Sequence, residues 1–172
     1  MAIQQEFVAL NPSHFDVKAF DCGKPDMNSY LARFAAKNMG LKLSMTWVLP
    51  GDELAAGRKT PIAAYYTFAS STVTREQIPT DKRLPGYPVP VVLLARLAVD
   101  QQYQGQRLGE KTLVSALRHS VTLTERGLPA IGLILDVLDE DALAFYQKFD
   151  LFKSFTDDPM RLFVPMNVVA QI

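Results

Sequence analysis

The sequence predicts an α/β or α+β domain with helices packed on a sheet, and three observations carry that expectation. Six short apolar or alternating segments read as strands. Two well-separated stretches repeat apolar positions at helical spacing, and a short third one follows. The 172 residues are enough for one domain with a real core, spanning 1–172, and no internal repeat or low-complexity tract divides them.

The elements follow in order. "QQEFVAL", residues 4 to 10, reads as a first strand stopped by Asn11 and Pro12. In "CGKPDMNSYLARFAAKNM", Met27, Tyr30, Leu31, Phe34, Ala35 and Asn38 recur at helical spacing. Pro25 suits the first turn, where its missing N–H costs nothing. From Met27 to Gly51 the only charges are Arg33, Lys37 and Lys42, so this segment is locally basic. "MTWVLP" and "IAAYYTFAS" read as strands around the polar turn "GDELAAGRKT". "PTDKRLPGYPVP", with four prolines in twelve residues, is a stiff loop. It feeds "VVLLARLAVD", the most apolar strand and therefore the expected centre of the sheet. A long helix from about Leu108 to Arg126 carries Leu108, Leu113, Ala116, Leu117 and Leu123 inward, and Gly127 closes it. "AIGLILDVL" is a buried strand, "DEDALAFYQKF" a short helix with acids at its N-terminal end, and "RLFVPM" a last strand.

A hydrophobic fraction of 48% with 21% charged residues describes a globular chain rather than a disordered one. Lys and Arg balance Asp and Glu at 18 each, so a polyanionic partner must be met by a local patch. The single cysteine, Cys22, has no partner for an internal disulfide, and two histidines, His14 and His119, build no zinc site, so no metal is expected. Glu6 interrupts any signal-like start, and no apolar run approaches the roughly 18 residues of a membrane span. A cytoplasmic protein without a membrane partner is expected.

The place of chemical interest is "LARLAVDQQYQGQRLG", residues 94 to 109, where a buried strand breaks into a glycine turn and aims a helix start at the gap. A first helical turn leaves N–H groups unpaired and adds the positive end of the helix dipole, which together suit an anion. Glycine in a strand-to-helix turn is also ordinary geometry, and both readings stand on the residues alone. Neither GxGxxG nor GxxxxGK[ST] occurs.

"RLAVDQQYQGQRLGE" with the helix behind it and "LDVLDEDALAFYQKF" resemble the acetyl-CoA site of the GNAT N-acetyltransferases. "FDCGKPDMNSYL", "AYYTFASSTV", "YPVPVVLLARLAVD", "FYQKF" and "DDPMRLFVPM" narrow the resemblance to the GNAT toxins of bacterial toxin–antitoxin modules. These blocks run through nearly the whole chain in the family's order.

The resemblance implies a mixed, mostly antiparallel twisted sheet with helices on both faces. It implies an acetyl-CoA-dependent enzyme that acetylates the α-amino group of aminoacyl-tRNA and blocks translation. It also implies a homodimer held inactive by a ribbon-helix-helix antitoxin. Gln104, Gly105, Gln106, Arg107, Leu108 and Gly109 fall on the family's pyrophosphate loop, with Glu110 directly behind. Leu97, Ala98 and Val99 fall where backbone groups pair with the pantetheine arm, and Tyr146 where a tyrosine protonates the departing sulfur.

Two positions depart from the pattern. Arg107 stands where the first motif glycine is usual, and it offers its N–H to phosphate if its φ is negative; Phe149-Asp150-Leu151 stands where a glycine and an aromatic are common.

Transfer from a thioester to an amine needs an acid for the thiolate, and a phenol near pKa 10 is protonated at neutral pH. Without the resemblance Tyr146 reads as a core tyrosine on an amphipathic helix. Arg96, alone in its apolar run, reads either as part of a site or as an outward-facing strand residue. Glu140 and Asp141 are expected to cap their helix. Cys22 is expected to be a buried thiol and His119 to sit on a solvated helix face. Lys18, Lys24, Arg33, Lys37 and Lys42 form a candidate tRNA-facing patch or an ordinary solvated face, with Arg33, Lys37 and Lys42 the chosen three. A GNAT enzyme for a small-molecule or protein amine, and a non-catalytic CoA- or partner-binding relic, remain as other readings.

Overall fold

The computed structural model describes residues 6–52 and 57–172. Residues 4 and 5 of the expected first strand and 53–56 of the expected turn lie outside them. Seven strands form one sheet in the order β1-β2-β3-β4-β5-β7-β6. They are β1 (Val8–Ala9), β2 (Met45–Pro50), β3 (Ile62–Val73), β4 (Val89–Val99), β5 (Gly132–Asp136), β6 (Lys153–Ser154) and β7 (Arg161–Pro165). The pairs β1–β2, β2–β3, β5–β7 and β6–β7 are antiparallel, whereas β4 and β5 run parallel. This mixed, mostly antiparallel sheet is the fold class expected.

β1 is shorter than the sequence suggests. After Ala9 the chain gives one more N–H, from Leu10 to the Thr46 carbonyl, and then turns at Asn11, whose Oδ1 accepts from the Ser13 N–H. Between β2 and β3 the register shifts, since Leu49 faces Ala64 while Pro50 faces Ile62. Ala63 is the residue skipped, and its carbonyl accepts the Asp100 N–H at 2.9 Å. β4 begins at Val89, so the proline-rich loop surrenders its last two residues to the strand.

The helices are α1 (Pro25–Ser29), α2 (Ala35–Gly40), α3 (Leu108–Glu125), α4 (Glu140–Gln147) and α5 (Met166–Val169). A π-helical turn, Tyr30–Phe34, joins α1 to α2. Met27, Leu31 and Ala35 are buried at steps of four. Phe34, expected on the same apolar face, is instead 48% exposed, because the wider π turn changes the angular spacing of the residues it contains. In α3, Leu113, Ala116 and Leu117 are buried as expected, Leu123 is half-buried, and Gly127 follows at φ +113°. Thr112 and Ser120 are buried but satisfied, donating to the carbonyls of Leu108 and Leu117.

The chain divides into two compact units, Met1–Ala69 with Arg96–Ala116, and Ser70–Ala95 with Leu117–Ile172. In the first, Phe20, Met27, Leu31, Val48, Tyr65 and Ala98 share one cluster, and Leu49, Ala63, Ala64, Tyr103 and Leu108 another. In the second, Val73, Ile78, Val89, Val91, Ile134, Phe155 and Phe163 pack together. Each large aliphatic buried this way contributes about 1.5–3 kcal/mol. Gly132 is required inside β5, since a Cβ there would lie 2.5 Å from the Val164 carbonyl oxygen and the Phe163 ring.

Candidate functional site

The end of β4 and the loop behind it form one hydrogen-bonded piece within the first unit. The Asp100 carboxylate, buried, accepts from the backbone N–H of Gln102 at 2.8 Å and of Asp21 at 2.9 Å. It thereby caps the short 3₁₀ turn Gln101–Tyr103 and ties it to the approach to α1. Tyr103 is buried, and its hydroxyl accepts the Asp52 N–H. A Cβ on Gly51 would collide with that hydroxyl, so this glycine lets the tyrosine lie close. From this anchored turn the chain leaves as the exposed loop Gln104 to Arg107.

The loop presents donors. The first backbone bond of α3 runs from the Lys111 N–H to the Arg107 carbonyl. The six N–H groups from Gly105 to Glu110 have no acceptor among the described residues. Gly105 and Arg107 both have positive φ, +87° and +57°, on either side of Gln106. Such alternation turns successive N–H groups toward one point, and the N-terminus of an 18-residue helix adds its partial charge. This donor set suits a pyrophosphate. Leu108 is the buried anchor, and Gly109 and Glu110 occupy the first turn with the Glu110 carboxylate exposed.

The condition of a negative φ at Arg107 is not met. The arginine occupies the left-handed region that a glycine would occupy, and so does Asp150, at φ +53°. Both departures from the family pattern therefore keep glycine-like backbone. An L-residue held there costs about 1–2 kcal/mol, less for Asp, whose short side chain tolerates the region better.

Leu97, Ala98 and Val99 close β4. Its registered pairs with β5 are Val92, Leu93 and Leu94 with Leu133, Ile134 and Leu135, all before Leu97. Ala98 is buried in the cluster with Met27 and Leu31. The Val99 carbonyl accepts from the Gln104 side-chain amide at 3.0 Å.

Tyr146 lies in the second unit on α4. Asp139, not Glu140 or Asp141, caps this helix, its carboxylate accepting the Ala142 N–H at 2.9 Å; the two following acids sit in the first turn. Their expected capping role is corrected accordingly. The Tyr146 ring is buried, edge-on to Phe145 at 5.2 Å and Phe152 at 5.8 Å. Burial pushes its pKa well above the usual phenol value, so the hydroxyl stays protonated. That hydroxyl has no hydrogen-bond partner among the described residues. No fully buried side-chain polar atom there lacks one, so the Tyr146 oxygen retains access to solvent.

Arg33, Lys37 and Lys42 are exposed, and none forms an ion pair among the described residues. Arg96 is half-buried with its guanidinium over the Tyr30 ring, 4.7 Å from the centroid. Cys22 is half-buried rather than buried, and desolvation holds its thiol protonated. His119 is half-buried too, not on a fully solvated face, and burial lowers its pKa. The described residues contain no group of three His, Cys, Asp or Glu able to hold a metal. None of their helices is long and apolar enough to cross a membrane. Sequence reasoning missed Asp100 and Tyr103; an Asp followed by two non-β-branched residues just past a strand is an available N-cap signal.

No family model matches the chain. A tRNA-acetylating toxin of Mycobacterium tuberculosis (strain ATCC 25618 / H37Rv) is 35% identical over 155 residues, covering 88% of this chain and 87% of the relative. This chain belongs to the tRNA-acetylating GNAT toxins. Among solved structures, a tyrosine-to-phenylalanine mutant of KacT superposes with a TM-score of 0.86 at 25% identity, covering 98% of this chain and 99% of that one. AtaT complexed with acetyl-methionyl-tRNAfMet gives 0.84 at 23% identity, covering 96% and 97%. A tyrosine-to-phenylalanine mutant of AtaT bound to the C-terminus of the antitoxin AtaR and acetyl-CoA gives 0.80 at 22% identity, covering 96% of each chain. At these identities the AtaT structures speak for the GNAT toxin's fold alone.

Proposed function

We propose that this GNAT toxin transfers the acetyl group of acetyl-CoA to the α-amino group of the amino acid on aminoacyl-tRNA, which stops translation. The observation that carries the reading is the run of six unpaired N–H groups, Gly105 to Glu110, behind the end of β4. It is the donor array a pyrophosphate requires, and the family supplies the acceptor. Gln104 to Glu110 hold the phosphates, and backbone groups of Leu97, Ala98 and Val99 pair with the pantetheine arm like an added strand.

Acetyl-CoA supplies the activated thioester. The amine forms the new C–N bond as the C–S bond breaks, the Tyr146 hydroxyl gives its proton to the sulfur, and the proton released by the amine passes to water. An arrangement with no assigned base suits an α-amine next to an ester, since the free amine is well populated near neutral pH.

The two compact units work as one acetyltransferase domain over 1–172. Arg33, Lys37 and Lys42 face the tRNA phosphates. The chain works in the cytoplasm as a homodimer and is held inactive by a ribbon-helix-helix antitoxin. The tRNA-acetylating toxin at 35% identity supports the catalytic part of this reading, and the KacT and AtaT structures support the fold it needs.

The test is release of free CoA thiol by purified protein. It is expected with deacylation-protected charged tRNA and absent with uncharged tRNA. Thiol release as fast with free amino acids would assign the protein to small amines instead.

A further inference from the structure

We infer that Phe34 is a base-stacking residue for the acceptor, seating an unpaired base at the 3′ end of the charged tRNA. This rests on the acceptor reading above and goes beyond it, since that reading assigns phosphate contacts but nothing that touches a base. Phe34 closes the π-helical turn and is 48% exposed, on the outside of a segment whose Met27, Leu31 and Ala35 are buried. Single π turns inside α-helices recur at functional sites. The ring does not stand alone. Its one recorded ring neighbour among the described residues is Tyr30, 6.5 Å away between centroids with 32° between the planes. The Arg96 guanidinium lies over the Tyr30 ring, 4.7 Å from its centroid. Tyr30 is itself fixed, because its hydroxyl hydrogen-bonds with Ser44 Oγ at 2.9 Å and accepts from Asn38 Nδ2 at 3.4 Å. Arg96, Tyr30 and Phe34 thus make a series of flat groups that starts on β4, one residue before Leu97, and ends at the surface.

The surroundings carry the charge that a nucleic acid needs. Arg33 precedes Phe34, and Lys37 follows it three residues on, a spacing that makes neighbours on a helix surface. Both cations are exposed and form no ion pair among the described residues. No Asp or Glu occurs from Met27 to Gly51. Exposed aromatic rings beside cations are how single-stranded nucleic acid is held, the cations on its phosphates and the ring against a base of any identity. An apolar peptide seated on Phe34 would leave both cations unanswered. A nucleotide answers ring and cations in one unit.

The order of the site along the chain says which base reaches the ring. With the phosphates of acetyl-CoA at Gln104–Glu110 and its pantetheine arm at Leu97–Val99, Arg96 is displaced from Leu97 toward the thioester end. In the acceptor the attacking amine belongs to an amino acid esterified to the terminal ribose. An unpaired base therefore stands one ester linkage away from the reacting atoms. Phe34 is two steps out from Arg96 along the series of flat groups, which suits the terminal nucleotides rather than a paired stem.

The experiment uses the full chain with Phe34→Ala, Phe34→Leu and Phe34→Trp. Acetyl-CoA affinity is measured by calorimetry. KM is measured for charged tRNA at several salt concentrations and for a panel of amino acid methyl esters, which carry no base. Loss of one stacked base predicts a KM for charged tRNA raised about 5- to 150-fold in Phe34→Ala. Phe34→Leu, apolar but without a π face, should behave like Phe34→Ala, and Phe34→Trp should restore the parent's KM. Because the ring carries no charge, the salt slope of Phe34→Ala should equal the parent's. Acetyl-CoA affinity and KM for the esters should stay at the parent's level in all three, and acetyl-CoA binding also reports that each variant is folded. A Phe34→Leu variant as good as the parent would make the patch an apolar seat for a protein and overturn the assignment. An unchanged KM in Phe34→Ala, a flatter salt slope or weakened acetyl-CoA binding overturns it too. A parent protein inactive on charged tRNA but active on the esters overturns the acceptor reading itself, an outcome seen before any variant is made.

Discussion

The side-chain amide of Gln104 donates to the carbonyl of Val99 at 3.0 Å, closing the chain on itself across the 3₁₀ turn between β4 and the loop. The bond joins the two parts of the proposed acetyl-CoA site. The loop is exposed, so this bond, Asp100 and Tyr103 are what hold its geometry.

Gln104→Ala is therefore expected to loosen the loop without unfolding the protein. A net hydrogen bond of about 0.5–1.5 kcal/mol corresponds to a loss of about 2- to 10-fold in acetyl-CoA affinity. Calorimetry checks this, and unchanged affinity would detach the loop from the phosphates.

Arg107 holds a glycine's conformation with a side chain. Arg107→Gly releases about 1 kcal/mol of backbone strain and gives back part of it to the freer unfolded chain. Thermal unfolding should show a variant as stable as the parent or up to about 1 kcal/mol more stable. Arg107→Val places a β-branched residue at positive φ and should lose at least about 1 kcal/mol. The same ordering at Asp150 should be shallower, because aspartate tolerates this region.

Tyr146→Phe removes one hydroxyl from a ring already held by Phe145 and Phe152. Acetyl-CoA binding should persist while turnover falls about 100- to 10,000-fold. Because burial raises the Tyr146 pKa, its acid form persists to higher pH than an exposed phenol's. The parent's rate should then climb as the acceptor amine loses its proton and show no falling limb below about pH 10. A falling limb near neutral pH would place the acid on another group.

Arg33 and Lys37 are exposed, with no ion pair among the described residues. Changing both to Glu should weaken acetylation of charged tRNA and spare acetyl-CoA binding. The parent's tRNA affinity should fall steeply with salt, with a flatter slope in the double variant, since each lost phosphate contact releases fewer counterions. Equal slopes would remove these residues from the interface.

Much of this was legible in residue order, where the signal was local. β2 begins and ends where "MTWVLP" does, and the apolar runs of β4 and β5 mark the middle of the sheet. β6 and α5, two and four residues long, are too short to show a period. The π turn escaped because Tyr30, Leu31 and Phe34 sit at spacings an α-helix shares, and what distinguishes the two is the bond from the Ala35 N–H to the Tyr30 carbonyl five residues back, with Phe34 left exposed. The site divides the same way. The glycine loop and its helix are contiguous and could be read. The Asp100–Asp21 bond joins residues 79 apart, and the partner of Arg96 is a tyrosine in a distant helical segment; no pattern along the chain announces either. The backbone of Arg107 could not be read from the chain, because side-chain identity alone argues against positive φ, while the turn into α3 imposes it.

The most direct test of the account is mass spectrometry of a bulk charged-tRNA pool after incubation with the purified protein and acetyl-CoA, with Tyr146→Phe run beside it. The account predicts aminoacyl-tRNA carrying one added acetyl group on the α-nitrogen, in the parent sample and nearly absent from the variant. Charged tRNA recovered unmodified from the parent sample, with acetyl groups on free amines instead, would contradict it.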